Sequence, residues 1–299
     1  MTNQFVTLPS KIRKNLNLSA SKIYVIKGEV RVLKNVKVTA RNGVRILLVN
    51  GVFKSSRLKR SALIFDQGSR LSAKKMHLMA ANELLKPVKL ADNGGIWFLG
   101  NYANASKDGL HLKTNRKNPL SHFSAQLITT NYLGRADSYI SPKSGNLIGI
   151  GDDIDGFSVL GVGPTEWSIK SIKCNHSADD GIDFANSHVQ IMNLEILNPI
   201  EDCINASSSR IEIHRSLKLD ASKTKNIDRD LFDLETIDGA SYIELHPGCS
   251  VKLKGVFGDQ LVLSSPEMPR PNTRTDNERE YFFSGKIKRA ALIYSINED

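Results

Sequence analysis

The sequence predicts an all-β protein, and within that class a right-handed single-stranded parallel β-helix, a solenoid of short strands. The first observation is a segment that recurs at Asp155, Asp180 and Asp202, where each aspartate precedes a small residue and then an apolar one. The second is that an alternating apolar–polar run follows each of these aspartates, which are 25 and 22 positions apart. The third is that no helical pattern separates the runs. A period near 22 residues is typical of a solenoid, and alternation with a period of two excludes helical repeats.

Taken in order, residues 1–21 are polar and basic, and we expect them to cap the first coil because a solenoid needs covered ends. Alternating strands separated by Gly and Asn turns fill residues 22–263, the predicted β-helix. Leu78 to Leu90 has a helical pattern that Pro87 ends, which predicts a short excursion from the coils. Residues 264–299 begin with a stretch rich in proline and charge and are predicted to form a linker and C-terminal tail strands.

The 22-residue register predicts which apolar side chains stack in successive coils. Ile182 should lie beside Ile204, and Val189 beside Ile211, at the spacing of neighbouring strands, about 4.8 Å. Helices between these strands would contradict a solenoid.

The same register predicts a ladder of carboxylates at Asp155, Asp180 and Asp202. Carboxylates this close repel each other, so they must bind a cation, share a proton or be well solvated. The three aspartates are therefore a candidate calcium site, and part of the ladder is a candidate catalytic site. The alternative is that aspartate occupies these positions because it favours turns, where its side chain bonds the backbone two residues on.

Charge is divided unevenly along the chain. The net charge is +10 over 299 residues, but residues 1–120 hold 23 Lys and Arg against 5 Asp and Glu, and residues 121–299 hold 18 against 26. A basic half predicts an anionic partner, which leaves an anionic glycan, nucleic acid and an acidic protein surface open. The alternative is that lysine along strand edges serves solubility. The candidate ligand-binding residues are the basic ones of two loops: Arg57, Lys59, Arg60, Lys113, Arg116 and Lys117.

Targeting signals are missing from the sequence. The first residues lack the apolar stretch of a signal peptide, and no apolar run approaches about 18 residues, so we expect no membrane span. Three scattered cysteines indicate a reducing compartment. The expectation is synthesis in the cytoplasm, followed by release or by assembly into a particle such as a phage tail.

Two resemblances follow from these motifs. The segments GGIWFLG at 94–100, IDGFSVLGVG at 154–163 and SADDGIDF at 177–184 together resemble a pattern of bacterial surface β-helix repeat proteins. That resemblance implies a right-handed β-helix and carries no biochemical role. Members of that family are exported, whereas this chain shows no export signal.

The second resemblance is to glycoside hydrolases of the polygalacturonase type. DDGID at 179–183 is similar to their N-T-D-G-I-D strand, and EDCI at 201–204 to their G-D-D-C-I strand. The resemblance implies that Asp180, Glu201 and Asp202 are the acid and base carboxylates of an inverting hydrolase. The G-H-G and R-I-K motifs of that family, expected on the following coils, are missing, and His214 lies half a coil away from Asp202.

These observations favour a non-enzymatic structural or adhesive module that binds an anionic or neutral polysaccharide, or partner proteins in an assembly, with no cofactor unless the ladder holds calcium. The alternative function is a polysaccharide hydrolase or lyase that uses Asp180 and Asp202. A third is nucleic-acid binding by the basic residues of 1–120.

Overall fold

The described part of the chain consists of strands and turns. The computed structural model describes residues 4–51, 60–107, 110–135, 138–140, 147–149, 154–222, 229–271 and 280–295. Within these ranges the protein is all-β, as the sequence predicts, and no helix suited to crossing a membrane occurs among them.

The strands are numbered in chain order. The first fifteen are β1 (Gln4–Thr7), β2 (Lys11–Ile12), β3 (Leu16–Leu18), β4 (Lys22–Ile26), β5 (Glu29–Val32), β6 (Lys37–Val49), β7 (Ala62–Phe65), β8 (Arg70–Ala81), β9 (Gly95–Leu99), β10 (Ala105–Lys107), β11 (Leu110–Leu112), β12 (His122–Asn131), β13 (Gly134–Arg135), β14 (Ser138–Ile140) and β15 (Leu147–Gly149). The others are β16 (Ile154–Asp155), β17 (Phe157–Leu160), β18 (Trp167–Ile169), β19 (Ser171–Asn175), β20 (Ile182–Ala185), β21 (His188–Leu197), β22 (Ile204–Ser207), β23 (Arg210–Asp220), β24 (Phe232–Glu235), β25 (Tyr242–Leu245), β26 (Ser250–Gly255), β27 (Leu261–Ser264), β28 (Tyr281–Lys286) and β29 (Ala291–Ser295).

Two large sheets contain most of these strands, and the others form three antiparallel pairs, β10 with β11, β13 with β16 and β14 with β15. The larger sheet has the order β1-β4-β6-β8-β12-β19-β21-β23-β25-β29-β27, with β3, β18, β26 and β28 paired alongside this path. The smaller sheet has the order β2-β5-β7-β9-β17-β20-β22-β24, and its pairs are all parallel. From β20 to β25 the chain visits the two sheets alternately, so each strand lies beside the strand two places later.

The predicted register is confirmed. Ile182 pairs with Ile204 in the smaller sheet, and Val189 pairs with Ile211 in the larger one. All four side chains are buried in one continuous apolar core. Alternation places every second residue of a strand in this core, which is why such short strands suffice to build it.

Aromatic rings fill one part of the core. The Phe98 ring lies 5.2 Å from Phe65, 5.0 Å from Phe123, 5.5 Å from Phe157 and 5.5 Å from Trp167, measured between ring centroids. The pair with Phe65 is stacked and the contacts with Phe123 and Trp167 are edge-on, both of which are favourable aromatic geometries. Phe98 therefore joins the two sheets near the middle of the stack.

The turns that connect the two sheets, here called corners, each contain one residue with a left-handed backbone conformation. Asn186 and Ser208 both have φ 49° where the smaller sheet leads into the larger one. At the other corner, Tyr132, His176 and Asn198 have φ of 56°, 54° and 53°. One left-handed residue turns the chain sharply, and asparagine tolerates that conformation better than most residues.

The prediction of a helical segment from Leu78 to Leu90 is wrong. Leu78 to Ala81 complete β8, and a turn with Leu85 at φ 60° follows. Leu78 pairs with Ile46 of β6, so packing against the neighbouring strand overrides the local helical preference.

The two ends of the stack differ. Within residues 1–21, β1, β2 and β3 pair in parallel with β4, β5 and β6. Beyond residue 264, β28 runs antiparallel to β26, and β29 runs antiparallel to both β25 and β27.

Candidate functional site

The aspartates of the repeat lie side by side before the strands of the smaller sheet. The pairing of β20 with β22 aligns Asp180 with Asp202, and the Asp202 amide donates a hydrogen bond to Asp180 Oδ1 at 3.1 Å. The Asp230 amide donates in turn to Asp202 Oδ1. The ladder thus extends to Asp230, beyond the three aspartates at which the sequence repeat is recognised. The missed signal is that Asp230 precedes the buried Phe232 by two residues, as Asp202 precedes Ile204.

Burial distinguishes the members of this ladder. Asp155 and Asp183 are fully buried, and Asp180 is only 4% exposed. Glu201, Asp202 and Asp230 are partly buried. The most buried carboxylates are therefore enclosed by the fold, and the three partly buried ones are those that solvent reaches.

The Asp202 carboxyl has an altered acidity. Burial, followed by the charges of Asp233, Asp230 and Glu201, raises the pKa of Asp202 to about 8, although the hydrogen bond from the Asp230 amide acts in the opposite direction. A carboxyl with this pKa is mostly protonated near neutral pH. That is the state a general acid requires.

The calcium hypothesis places Asp155, Asp180 and Asp202 together. The structure brings carboxylate oxygens of Asp155, Asp179 and Asp180 within 4.8 Å of one another, and all three residues are buried. The third close carboxylate beside Asp155 and Asp180 is thus Asp179. Calcium takes six to eight oxygen ligands, so these three residues alone would supply only part of a coordination sphere.

A groove crosses the outer face of the larger sheet. Two rows of side chains form its floor, because parallel pairing puts residues of equal register side by side. The hydroxyl–amide row comprises Ser171, Asn193, Ser216 and Ser250. The lysine row comprises Lys173, Glu195, Lys218 and Lys252. The groove has a volume of about 700 Å³, and Lys75 of β8 and Ser284 of β28 line its ends.

Both rows are linked internally. Asn193 donates to Ser171 Oγ at 2.9 Å and accepts from the Ser216 hydroxyl at 2.9 Å. Lys173 and Lys218 contact the two oxygens of Glu195 at 2.7 Å and 2.9 Å. Burial acts to raise the pKa of Glu195, but the hydrogen bonds and charges of the two lysines hold it below its ordinary value. Glu195 is therefore ionised and positions both ammonium groups.

The predicted basic ligand-binding residues lie elsewhere. Arg57 and Lys59 are outside the described residues, and Arg60 is partly buried beside Gly94. Lys113, Arg116 and Lys117 are exposed in the loop after β11, away from the groove floor.

Sequence reasoning missed the lysines of the groove because three of them belong to the acidic half of the chain. The available signal was a lysine between two apolar residues at equivalent strand positions. It occurs at Lys173, Lys218 and Lys252, each of which points outward between buried neighbours.

A second cluster on the larger sheet was also missed. The segments IEIH at 211–214 and IELH at 243–246 place a glutamate and a histidine on the same face of neighbouring strands. Glu212 Oε2 lies 3.8 Å from His214 Nε2 and 3.4 Å from His246 Nε2. The histidines appear scattered in the sequence because the strands that bring them together are 32 residues apart.

The described residues thus present three polar sites: a largely buried acidic ladder, a lysine-containing groove, and a cluster of glutamate and histidine. Comparisons of the chain with protein-family models, with curated proteins and with solved structures find no match.

Proposed function

We propose that the chain is a right-handed parallel β-helix whose outer groove binds an anionic polysaccharide without cleaving it. The alternation of successive strands between two parallel sheets supports the β-helix. Crossovers between parallel strands are right-handed in nearly all known proteins, which supports the hand.

The lysine row is the observation that carries the binding function. The described lining of the groove contains four lysines and one carboxylate: Lys75, Lys173, Lys218 and Lys252, and Glu195. The groove therefore has three excess positive charges, flanked by hydroxyl and amide groups that hydrogen-bond sugars. Lys173 and Lys218 have side chains 47% and 39% exposed, so a ligand can reach them.

The spacing of the sheet suits a polymer. From β8 to β28 the lining crosses seven strands, which at about 4.8 Å per step extends over about 29 Å. An extended chain lying across the strands would meet a new polar side chain at each step. No aromatic side chain belongs to the described lining, so base or sugar stacking contributes little, and acidic groups on the ligand must supply the affinity.

The test is retention of polygalacturonate and heparin in affinity electrophoresis at low and high salt. Lys252 is exposed on β26, and Lys252→Glu should weaken binding at least about tenfold at low salt because it reverses one groove charge. The matched control is Lys288→Glu, an exposed lysine in the turn before β29, which should bind as the wild type does. Equal loss in both variants, or none in either, would contradict a groove site. Stronger retention of single-stranded DNA that depends on Lys252 would favour nucleic acid instead.

The second candidate function is polysaccharide hydrolysis. The raised pKa of Asp202 favours it, because that carboxyl holds a proton near neutral pH and Glu201 beside it is partly exposed. Reducing-sugar release from acidic polysaccharides by the wild type, lost in Asp202→Asn, would establish this activity. We expect no release from either, because Asp180, its partner in the ladder, is buried.

A further inference from the structure

We propose that Glu212, His214 and His246 form a binding site for a divalent transition metal, with zinc as the reference ion. The site lies on the outer face of the larger sheet, and it depends on neither the groove nor the acidic ladder. Two imidazoles and one carboxylate are a common set of protein ligands for zinc.

The geometry is close to that of a metal site. One ligand atom from each of Glu212, His214 and His246 lies within 4.8 Å of the other two. A tetrahedral ion with bonds of about 2.0–2.1 Å has ligand atoms about 3.3 Å apart. Glu212 Oε2 is already 3.4 Å from His246 Nε2 and 3.8 Å from His214 Nε2. Small side-chain rotations would therefore complete the triangle.

Both imidazoles present an unused nitrogen to this point. Nε2 of His214 and Nε2 of His246 are inaccessible to solvent, and neither makes a hydrogen bond within the described part of the chain. Buried polar atoms without a hydrogen bond are uncommon, and an ion is one of the accepted explanations.

The two rings are stacked on each other, so one of them must rotate about its side-chain bonds before both nitrogen lone pairs converge on a shared ion. Their centroids are 3.8 Å apart, with an angle of 28° between the ring planes. Two imidazolium ions in this contact would repel each other. Two neutral imidazoles beside one carboxylate would not, and a cation between them gains from all three.

Surrounding residues fix the carboxylate of Glu212. Arg210 Nε lies 2.9 Å and His188 Nε2 3.0 Å from Oε1, and Gln190 donates to Oε2 at 3.0 Å. Oε1 is thereby committed to these partners, and Oε2 is aimed at the two histidines. Groups that orient a ligand in this way are a regular feature of metal sites.

The strand geometry explains why His214 reaches the site. The pairing of β21 with β23 shifts between Ile191 and Asn193, so that β23 has one extra residue at this point. Such bulges redirect side chains and are common beside functional sites. Glu244 lies near the open side, with Oε1 3.8 Å from His246 Nε2, and it or water would supply the fourth ligand.

The experiment is titration of the purified, metal-stripped protein with zinc in competition with a chromophoric indicator, together with the absorption spectrum of the cobalt(II) form. We expect one zinc per chain with micromolar affinity, and cobalt bands of the intensity typical of tetrahedral coordination. His214→Gln and His246→Gln should each weaken zinc binding at least about tenfold. His122→Gln replaces an exposed histidine of β12 and should bind as the wild type does.

Zinc affinity that is equal in the wild type, His214→Gln and His246→Gln would overturn the proposal, as would a wild type that takes up no zinc. The target side chains are 26% and 30% exposed, so the variants should fold, and circular dichroism checks this. The cobalt spectrum needs no variant: bands of octahedral intensity would also overturn the site.

Discussion

Replacing Asp202 by asparagine should make the protein more stable at alkaline pH. The pKa of Asp202 is raised to about 8, first by burial and then by the charges of Asp233, Asp230 and Glu201. The folded state therefore holds a proton that the unfolded chain releases near pH 4. The contribution of this proton to the free energy of unfolding is fully present below about pH 4. It is lost progressively as the pH rises to about 8. Asparagine keeps the oxygen that accepts from the Asp230 amide but carries no charge.

The size of the effect follows from the two pKa values. The folded and unfolded pKa values differ by about four, and each unit corresponds to about 1.4 kcal/mol. The stability gained by Asp202→Asn at alkaline pH therefore has an upper bound of about 5–6 kcal/mol. Solvent reaches the partly buried side chain, which reduces the expected difference to about 2 kcal/mol. At pH 8.5, Asp202→Asn should therefore unfold at higher urea than the wild type, and at pH 4.5 the two should nearly coincide.

The control is Asp238→Asn, which replaces an exposed carboxylate after β24, the strand next to β22 in the smaller sheet, and should leave the pH profile unchanged. Parallel pH profiles of wild type and Asp202→Asn would refute the raised pKa. A variant that is less stable at pH 8.5, together with a wild-type melting temperature that falls on addition of chelator and is restored by calcium, would instead establish a calcium-bound ladder.

Three further substitutions test the groove, the core and the corners. Glu195→Gln removes the carboxylate that both groove lysines contact, and it should raise polygalacturonate affinity about threefold to tenfold at low salt, measured by calorimetry. Phe98→Ala should cost about 3–5 kcal/mol in urea unfolding, whereas Phe282→Ala, 61% exposed, should cost less than about 1 kcal/mol. Ser209→Ala should cost about 1–3 kcal/mol in the same assay, because the buried Ser209 hydroxyl accepts from the Ser187 amide and donates to the Phe184 carbonyl.

The period of the sequence was sufficient to predict the strand register. Ile182 and Ile204 lie in adjacent strands as predicted, because a repeat of constant length puts equal positions side by side and burial fixes which face points inward. The same reasoning predicted that Asp180 and Asp202 would be neighbours. The helical pattern at Leu78 failed because local propensity says nothing about the β6 strand that pairs with this segment.

The chemistry of the sites was harder to read from the sequence. Asp180 is buried by residues distant in the sequence, so its burial cannot be predicted from a local pattern. Lys218 was not predicted as a binding residue because the charge was summed along the chain. The lysines of the groove come together from strands that are more than 20 residues apart. His214 and His246 were not predicted for the same reason, because only the pairing between strands brings them close.

The reversed strands at the C-terminal end should oppose end-to-end association of the larger sheet between molecules. A parallel stack offers each new strand a template identical to the last, so a second molecule could continue it and fibres could grow. Here β29 pairs with β25 and β28 pairs with β26 in the antiparallel direction, so a further parallel strand would not find the template that the earlier strands provide. Strand edges that are blocked in this way are the usual protection against end-to-end growth. A chain shortened before residue 280 should therefore form filaments visible by electron microscopy, and the intact chain should not.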